Sequence, residues 1–225
     1  MYPNVLSSES SLPQSDALIA RLRDCLAGTQ PGDAHVDPRF YGLSAADATL
    51  LNSLLPANPT SAAVLVPLVA HPTGPTLMFT ERASGLRKHG GQISFPGGRV
   101  EPEDNGPVGG ALRESAEEIG LGAGFVEVIG YLSDHLVITG YRVTPVVGLL
   151  VPGFTLAPDA NEVASVFEVP LAFFLDPANR VKAWRKLGGQ IDAEIEEFHW
   201  EGRRIWGATA SMVINLAQKL GYADG

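Results

Sequence analysis

Apolar positions divide this chain into helical and extended stretches. Between Ser15 and Ala27 they recur with the helical period, placing Leu18, Ile19, Leu22 and Leu26 on one face behind Ser15 as an N-cap. A loop rich in Pro, Gly and Asp follows, and a second short helix is expected around Ser44 to Leu55. From Ala62 the pattern changes. AAVLVPLVA is apolar without a break and is bounded by Pro59 and Pro72, which predicts a buried strand. TLMFTER, QISF, VEVIGYL and RVTPVVGLL predict further strands. After a loop at Pro158 to Asn161, EVASVFEVPL reads as strand or extended chain, and EEFHWEGRRIWG alternates about Glu201 and Gly202 as a hairpin does. ATASMVINLAQKLG ends the pattern as an amphipathic helix, with Met212, Ile214, Leu216 and Leu220 among its apolar positions. Residues 1–14 are expected to be disordered, 15–59 to form a helical extension that packs or dimerises, and 60–225 to form the main domain.

One predicted helix carries an unusual front. Pro107 suits its first turn and Gly120 its C′ end. Val108, Leu112, Ser115 and Ile119 make its back, while Glu114, Glu117 and Glu118 fall within roughly 100° of one another. Like charges so spaced destabilise a helix by about 0.2–0.5 kcal/mol per pair. Gly109 and Gly110 cost about 1 kcal/mol each relative to Ala. Packing against the sheet must therefore hold this helix together. Arg113 is the one cation between Arg99 and Leu121. A solvated acidic face is the plain explanation of an arbitrary E-x-x-E-E; a divalent cation that quenches the repulsion is the alternative, and hard carboxylates suit Mg²⁺ or Mn²⁺.

The flanking residues decide between these. The segment from Gly98 to Leu121 resembles the Nudix box, the signature of hydrolases that cleave a nucleoside diphosphate linked to another group. Arg113, Glu114, Glu117, Glu118, Gly120 and Leu121 match it. Asp104 stands in place of the box's first glutamate, one residue further from Arg113 than usual, and Ser115 fills an apolar slot. The Asp104 departure is the form found in the coenzyme A branch. Upstream, RASGLRKHGGQISFPGG resembles the motif of coenzyme A pyrophosphatases through Arg82, Ala83, Arg87, Gly91, Phe95, Pro96, Gly97 and Gly98, with Met78 and Phe79 replacing two leucines. The likeness, including TPVVG, the EV…VPL stretch and WGATA, covers roughly residues 60–221. It implies the Nudix fold, an α/β (α+β) arrangement with a mixed sheet sandwiched between helices.

That resemblance also implies roles. Glu114, Glu118, Glu117 and Gly97 become candidate ligands of Mg²⁺ or Mn²⁺. Glu117, Glu118 and Glu162 become candidate catalytic residues, with Glu117 or Glu162 as general base. Arg82, Arg87, Lys88 and Gly98 become candidate substrate-binding residues; with His89 the three cations form a basic cluster, and arginine grips phosphate as a fork, which suits the 3′-phosphate of coenzyme A. Arg113 is expected to hold a neighbouring carboxylate, and Gly120 to end the helix. The implied reaction splits coenzyme A or its thioesters into 3′,5′-ADP and 4′-phosphopantetheine. A Nudix hydrolase of another nucleotide is the near alternative, and a Nudix-fold module that binds without catalysis the distant one.

Composition adds limits. A net charge of −9 disfavours nucleic acid as a partner, and no run of ~20 apolar residues is present to span a membrane, since the long uncharged stretch 48–80 is broken by Asn52, Pro56, Asn58, Pro59 and Pro72. Cys25, the single cysteine, is expected to pack rather than react; with the absence of a basic-then-apolar leader it makes a reducing cytoplasm the expected location. A small-molecule substrate is the expected partner, and a homodimer a candidate assembly. His135 is a weaker acid–base candidate, Trp206 is expected in the core or a cleft wall, and His71 and His199 have no functional context.

Overall fold

The unbroken apolar run yields the strand that everything else packs on. In the computed structural model, which describes residues 15–32, 44, 47, 49–50, 53, 57–85, 90–137, 139–187 and 191–222, β1 (Thr60–Val69) is buried along most of its length. It runs parallel to β7 (Tyr141–Leu150), from Thr60↔Tyr141 to Val69↔Leu150. Its far end pairs antiparallel with β2 (Thr76–Arg82), and its near end with β4 (Gly97–Arg99) through Ala63↔Gly98. β3 (Ile93–Ser94) and β8 (Val163–Pro170) flank β2, while β5 (Val126–Tyr131) and β6 (His135–Val137) flank β7. The sheet is therefore mixed, with the parallel pair β1–β7 at its centre.

Two apolar layers cover it. Ala63, Leu65 and Val146 face Ala111 and Ile119 of α2 (Pro107–Ile119). Val66, Leu68 and Val147 face the other way, onto Leu18, Leu22 and Leu26 of α1 (Ser15–Leu26) and onto Leu216 of α4 (Gly207–Lys219). A short α3 (Leu171–Leu175) adds Phe174, which packs on Phe79 and Phe198. No described helix is long and apolar enough to cross a membrane.

α1 packs on the core. Leu22 and Leu26 are fully buried, Arg21 donates to the Leu220 carbonyl, and Arg23 pairs with Glu127. Ser15 is helical but its hydroxyl donates to the His71 carbonyl, so it anchors the helix to the β1–β2 turn. Cys25 packs half-buried against the core with its thiol pushed up by burial, as a packing residue does. Of the second helix, Asp47, Thr49, Leu50 and Ser53 are helical, and the Ser44 hydroxyl accepts from the Asp47 N–H. Residues 1–14 lie outside the described residues.

A second, three-stranded antiparallel sheet was only half foreseen. The expected hairpin is present as β10 (Ile191–Trp200) and β11 (Arg203–Ile205), but β10 starts earlier and pairs also with β9 (Val181–Leu187). β9 reads VKAWRKL, polar on both faces with Trp184 exposed, so no alternation marks it. α3 is too short to show a helical period.

Candidate functional site

α2 is shaped by what its glycines let approach. A Cβ at Gly109 would lie 1.5 Å from the Asp104 carbonyl oxygen, so glycine there admits the 3₁₀ turn Pro102–Asp104 directly onto the helix. The close contact explains a residue that propensity alone disfavours. At the other end Gly120 takes φ 70° and donates to the Ala116 carbonyl at 3.0 Å, and a Cβ there would meet Ala157 N at 2.8 Å.

The docked turn delivers Asp104 to Arg113. Asp104 Oδ1 and Oδ2 accept from Arg113 Nε and Nη2 at 2.8 and 3.1 Å, and Oδ2 also accepts the Glu101 N–H. Arg113 further reaches Glu117 at 2.8 Å, Glu114 at 3.0 Å and the Arg99 carbonyl at 3.0 Å. The Asp104 hydrogen bonds push the guanidinium pKa up, and the guanidinium in turn holds the Asp104 carboxyl below the usual carboxylate range. Asp104 takes up the slack of its one-residue displacement because the turn is wound tightly against α2.

The acidic front divides. Glu118 points inward and its side chain is 4% exposed. Its Oε2 accepts the Gly97 N–H at 3.2 Å and its Oε1 accepts from Arg82 Nη1 at 3.3 Å. Burial pushes its pKa up to about 7 despite both contacts, with Glu114 and Glu162 adding repulsion. Glu114 lies on Gly98, where a Cβ would stand 2.5 Å from its carboxyl carbon. Burial raises its pKa too, opposed by Arg113 and reinforced by Glu117 and Glu162. Gly97 is pressed equally close on β1: a Cβ there would lie 2.3 Å from the Ala63 carbonyl oxygen. Glu117 turns outward, 58% exposed, with Arg113 as its partner.

Glu162 reaches this group through backbone bonds. The loop before β8 donates Ala157 N–H to the Ile119 carbonyl and Asp159 N–H to the Glu118 carbonyl, at 2.9 and 3.0 Å. Asp159 Oδ1 then accepts from Asn161, and its carbonyl accepts the Glu162 N–H. Finally the Glu162 carbonyl accepts from Ala83, next to Arg82. The backbone that carries the exposed Glu162 is thus tied to the end of the helix that carries Glu114 and Glu118, and its charge bears on both.

The structure therefore brings together Glu114, Glu118, Glu162, Arg82, Gly97 and Gly98, with Arg113 behind Glu114. Glu117 stays on the rim. Arg87 and Lys88, with His89, lie outside the described residues. His135 sits elsewhere, buried on β6 beneath α4, with Nδ1 on the Ser133 carbonyl and burial lowering its pKa. His71 pairs with Glu168, and His199 with Glu197. Trp206 is half-buried at the start of α4 with the Arg204 guanidinium 4.8 Å over its ring. Sequence reasoning missed the Arg82–Glu118 pair and the anchoring role of Asp159; the DAN turn before Glu162 was the one available signal for the latter.

Among the described residues, no three Asp, Glu, His or Cys side chains converge as they stand to hold a metal ion. The donor chemistry nonetheless fits a hard divalent cation: Glu114, Glu118 and Glu162 repel one another, and Glu118 is paired with Arg82 instead.

Comparison with known proteins places these features in context. The family described as NUDIX domain matches residues 59–187, more than half of the chain. A protein named uncharacterized Nudix hydrolase NudL from Yersinia enterocolitica is 39% identical over 167 residues, spanning 73% of this chain and 83% of that protein. Its namesake from Yersinia pestis is 39% identical over 161 residues, 71% of this chain and 79% of the other. Among solved structures, a MutT/nudix family protein from Enterococcus faecalis gives a TM-score of 0.48 at 15% identity, covering 77% of this chain and 68% of that one. The Nudix hydrolase RenU from M. smegmatis gives 0.44 at 22%, covering 51% and 73%. At these values the two structural likenesses carry no weight.

Proposed function

The chain belongs to the Nudix hydrolase family, and from that premise we propose that it hydrolyses the diphosphate bond of coenzyme A or its thioesters, releasing 3′,5′-ADP and 4′-phosphopantetheine or its acyl form. Family membership makes it a hydrolase that uses a divalent metal ion. The narrower substrate reading is supported by the likeness of RASGLRKHGGQISFPGG to the motif of coenzyme A pyrophosphatases, whose first arginine, Arg82, stands against Glu118 of the acidic helix.

In this reading Glu114 and Glu118, with the Gly97 backbone, hold Mg²⁺ or Mn²⁺. When bound, the metal neutralises charge on the diphosphate and acidifies the attacking water. Glu162 would accept that water's proton, from a loop whose backbone is tied to the helix of Glu114 and Glu118. Arg113 fixes Glu114 from behind and leaves Glu117 at the rim. Gly98 keeps the Glu114 carboxylate free of a side chain that would displace it. Arg87 and Lys88 are left to meet the 3′-phosphate.

The test is a panel of substrates with and without Mg²⁺: coenzyme A, acyl derivatives, dephospho-coenzyme A, ADP-ribose and nucleoside triphosphates. Mass spectrometry should find 3′,5′-ADP and 4′-phosphopantetheine, with coenzyme A or a thioester turned over fastest. Faster turnover of a substrate without the 3′-phosphate would move the assignment to another Nudix activity. No metal-dependent turnover of any member would favour a binding module.

A further inference from the structure

Resting on the reading of Glu114 and Glu118 as the metal-holding carboxylates, we propose that Arg82 is the resident counter-ion of that site and exchanges partners. It neutralises Glu118 while the metal is absent, and it turns to the diphosphate once the metal has replaced it.

The two arginines of the site are held very differently. Arg113 is enclosed by Asp104, Glu114, Glu117 and the Arg99 carbonyl, with contacts between 2.8 and 3.1 Å. So many partners leave it nowhere to go. The backbone of Arg82 is fixed, its N–H on the Gln92 carbonyl and its own carbonyl accepting from Gly91. Its guanidinium has one side-chain partner among the described residues, Glu118, at a long 3.3 Å, and is only partly buried. A fixed stem with a loosely held head is the arrangement that lets a side chain change partners.

Glu118 supplies the reason for the first position. Its carboxylate is almost sealed from water, and a buried ionised carboxylate needs a cation close by. Arg82 fills that need on Oε1. A divalent ion at the same carboxylate makes the guanidinium a like-charged neighbour, and repulsion drives it outward. Arginine remains charged throughout, and its fork matches phosphate oxygens brought by the substrate. Arg82 therefore opposes metal binding to the empty protein and favours the diphosphate once the metal is in place. Metal and substrate binding become coupled through one side chain.

The effects have opposite signs, which separates this role from a structural one. Mn²⁺ binding is measured on the full chain without nucleotide, by calorimetry and by the electron paramagnetic resonance of free Mn²⁺. Arg82→Ala should bind Mn²⁺ about tenfold tighter than the parent, and Arg82→Lys, which keeps the charge, about as the parent does. Methylenediphosphonate is then titrated as a non-hydrolysable diphosphate. With Mn²⁺ present Arg82→Ala should bind it about tenfold more weakly than the parent, and without metal the two should be alike. If Arg82→Ala does not fold, Arg82→Met keeps the aliphatic stem and serves instead. Unchanged or weaker Mn²⁺ binding in a folded Arg82→Ala or Arg82→Met protein overturns the proposal, as does equal tightening by Arg82→Lys. A parent that binds no Mn²⁺ overturns it together with the assignment of the carboxylates. A parent that binds Mn²⁺ but spares coenzyme A removes only the substrate reading.

Discussion

Glu117 and Glu118 are neighbours in the chain and opposites in the fold. Glu118 lies under β4, sealed from water, bonded to the Gly97 N–H and to Arg82, with its pKa pushed up to about 7 by burial. Glu117 stands in solvent with Arg113. A step of about 100° around one helix separates a carboxylate whose charge is costly from one whose charge is nearly free. A metal site gains more from the costly one, because a cation there relieves desolvation and repulsion together.

The largest effect expected from this contrast is at Glu118. Glu118→Gln should lower turnover about 10³-fold or more, above the ~10–100-fold typical of losing an outer partner of a metal site. The fold should survive. The metal-free protein also provides a stability test, because the folded pKa of Glu118 exceeds the unfolded value. The folded state keeps a proton that the unfolded state releases, so its stability falls as pH rises from about 4.5 to about 7. The loss at Glu118 amounts to at most about 3 kcal/mol. Without metal, Glu118→Gln should melt higher than the parent at pH 8 and should not do so at pH 4.5. A parent-like rate, or melting curves that differ equally at both pH values, would separate Glu118 from both roles.

Glu162 comes next. Glu162→Gln should lower kcat about 10²-fold while Mn²⁺ affinity stays near the parent's, as removal of a general base does. Its loop is tied to the Glu118 and Ile119 carbonyls, so the base should be in place before substrate binds. An equally large fall in Mn²⁺ affinity would make Glu162 a ligand instead. A near-normal rate would return the role of base to Glu117.

How much of this could be read from residues alone follows the same inside-and-outside division. β1, β2, β7 and α2 were legible because each buries apolar side chains, which burial writes into the sequence as an unbroken run in β1 and as a one-sided helix in α2. β9 was not: its neighbours are solvent and a hairpin partner, so charges and Trp184 fill it without alternation. In the site, spacing placed Glu114, Glu117 and Glu118 on one face but could not rank them. That ranking depends on β4 and Gly97, which reach α2 only through the fold. Arg82 shows the same limit. Its motif suggested the 3′-phosphate, whereas its contact is with Glu118.

That contact sets the third expectation. Arg82→Ala should reduce kcat/KM for coenzyme A and for dephospho-coenzyme A by a similar factor, about 10–100-fold, the range of one charge-assisted phosphate contact. Parallel kinetics on the two substrates decide it. A loss confined to coenzyme A would send Arg82 back to the 3′-phosphate.

The smallest effect should be at Glu117. Its carboxylate is exposed and its Arg113 partner keeps Asp104, Glu114 and the Arg99 carbonyl when Glu117 is replaced. An exposed ion pair of this kind contributes about 0–1 kcal/mol. Glu117→Gln should therefore leave melting within a degree or two and turnover within a few-fold of the parent. Removing one of the helix's like-charge pairs even favours the fold slightly. The contrast with Glu118→Gln should then span two or more orders of magnitude between adjacent residues of one helix. If Glu117→Gln instead loses both turnover and Mn²⁺ affinity as Glu118→Gln does, the bound metal must draw the rim carboxylate inward, and burial in the metal-free fold would no longer rank the two.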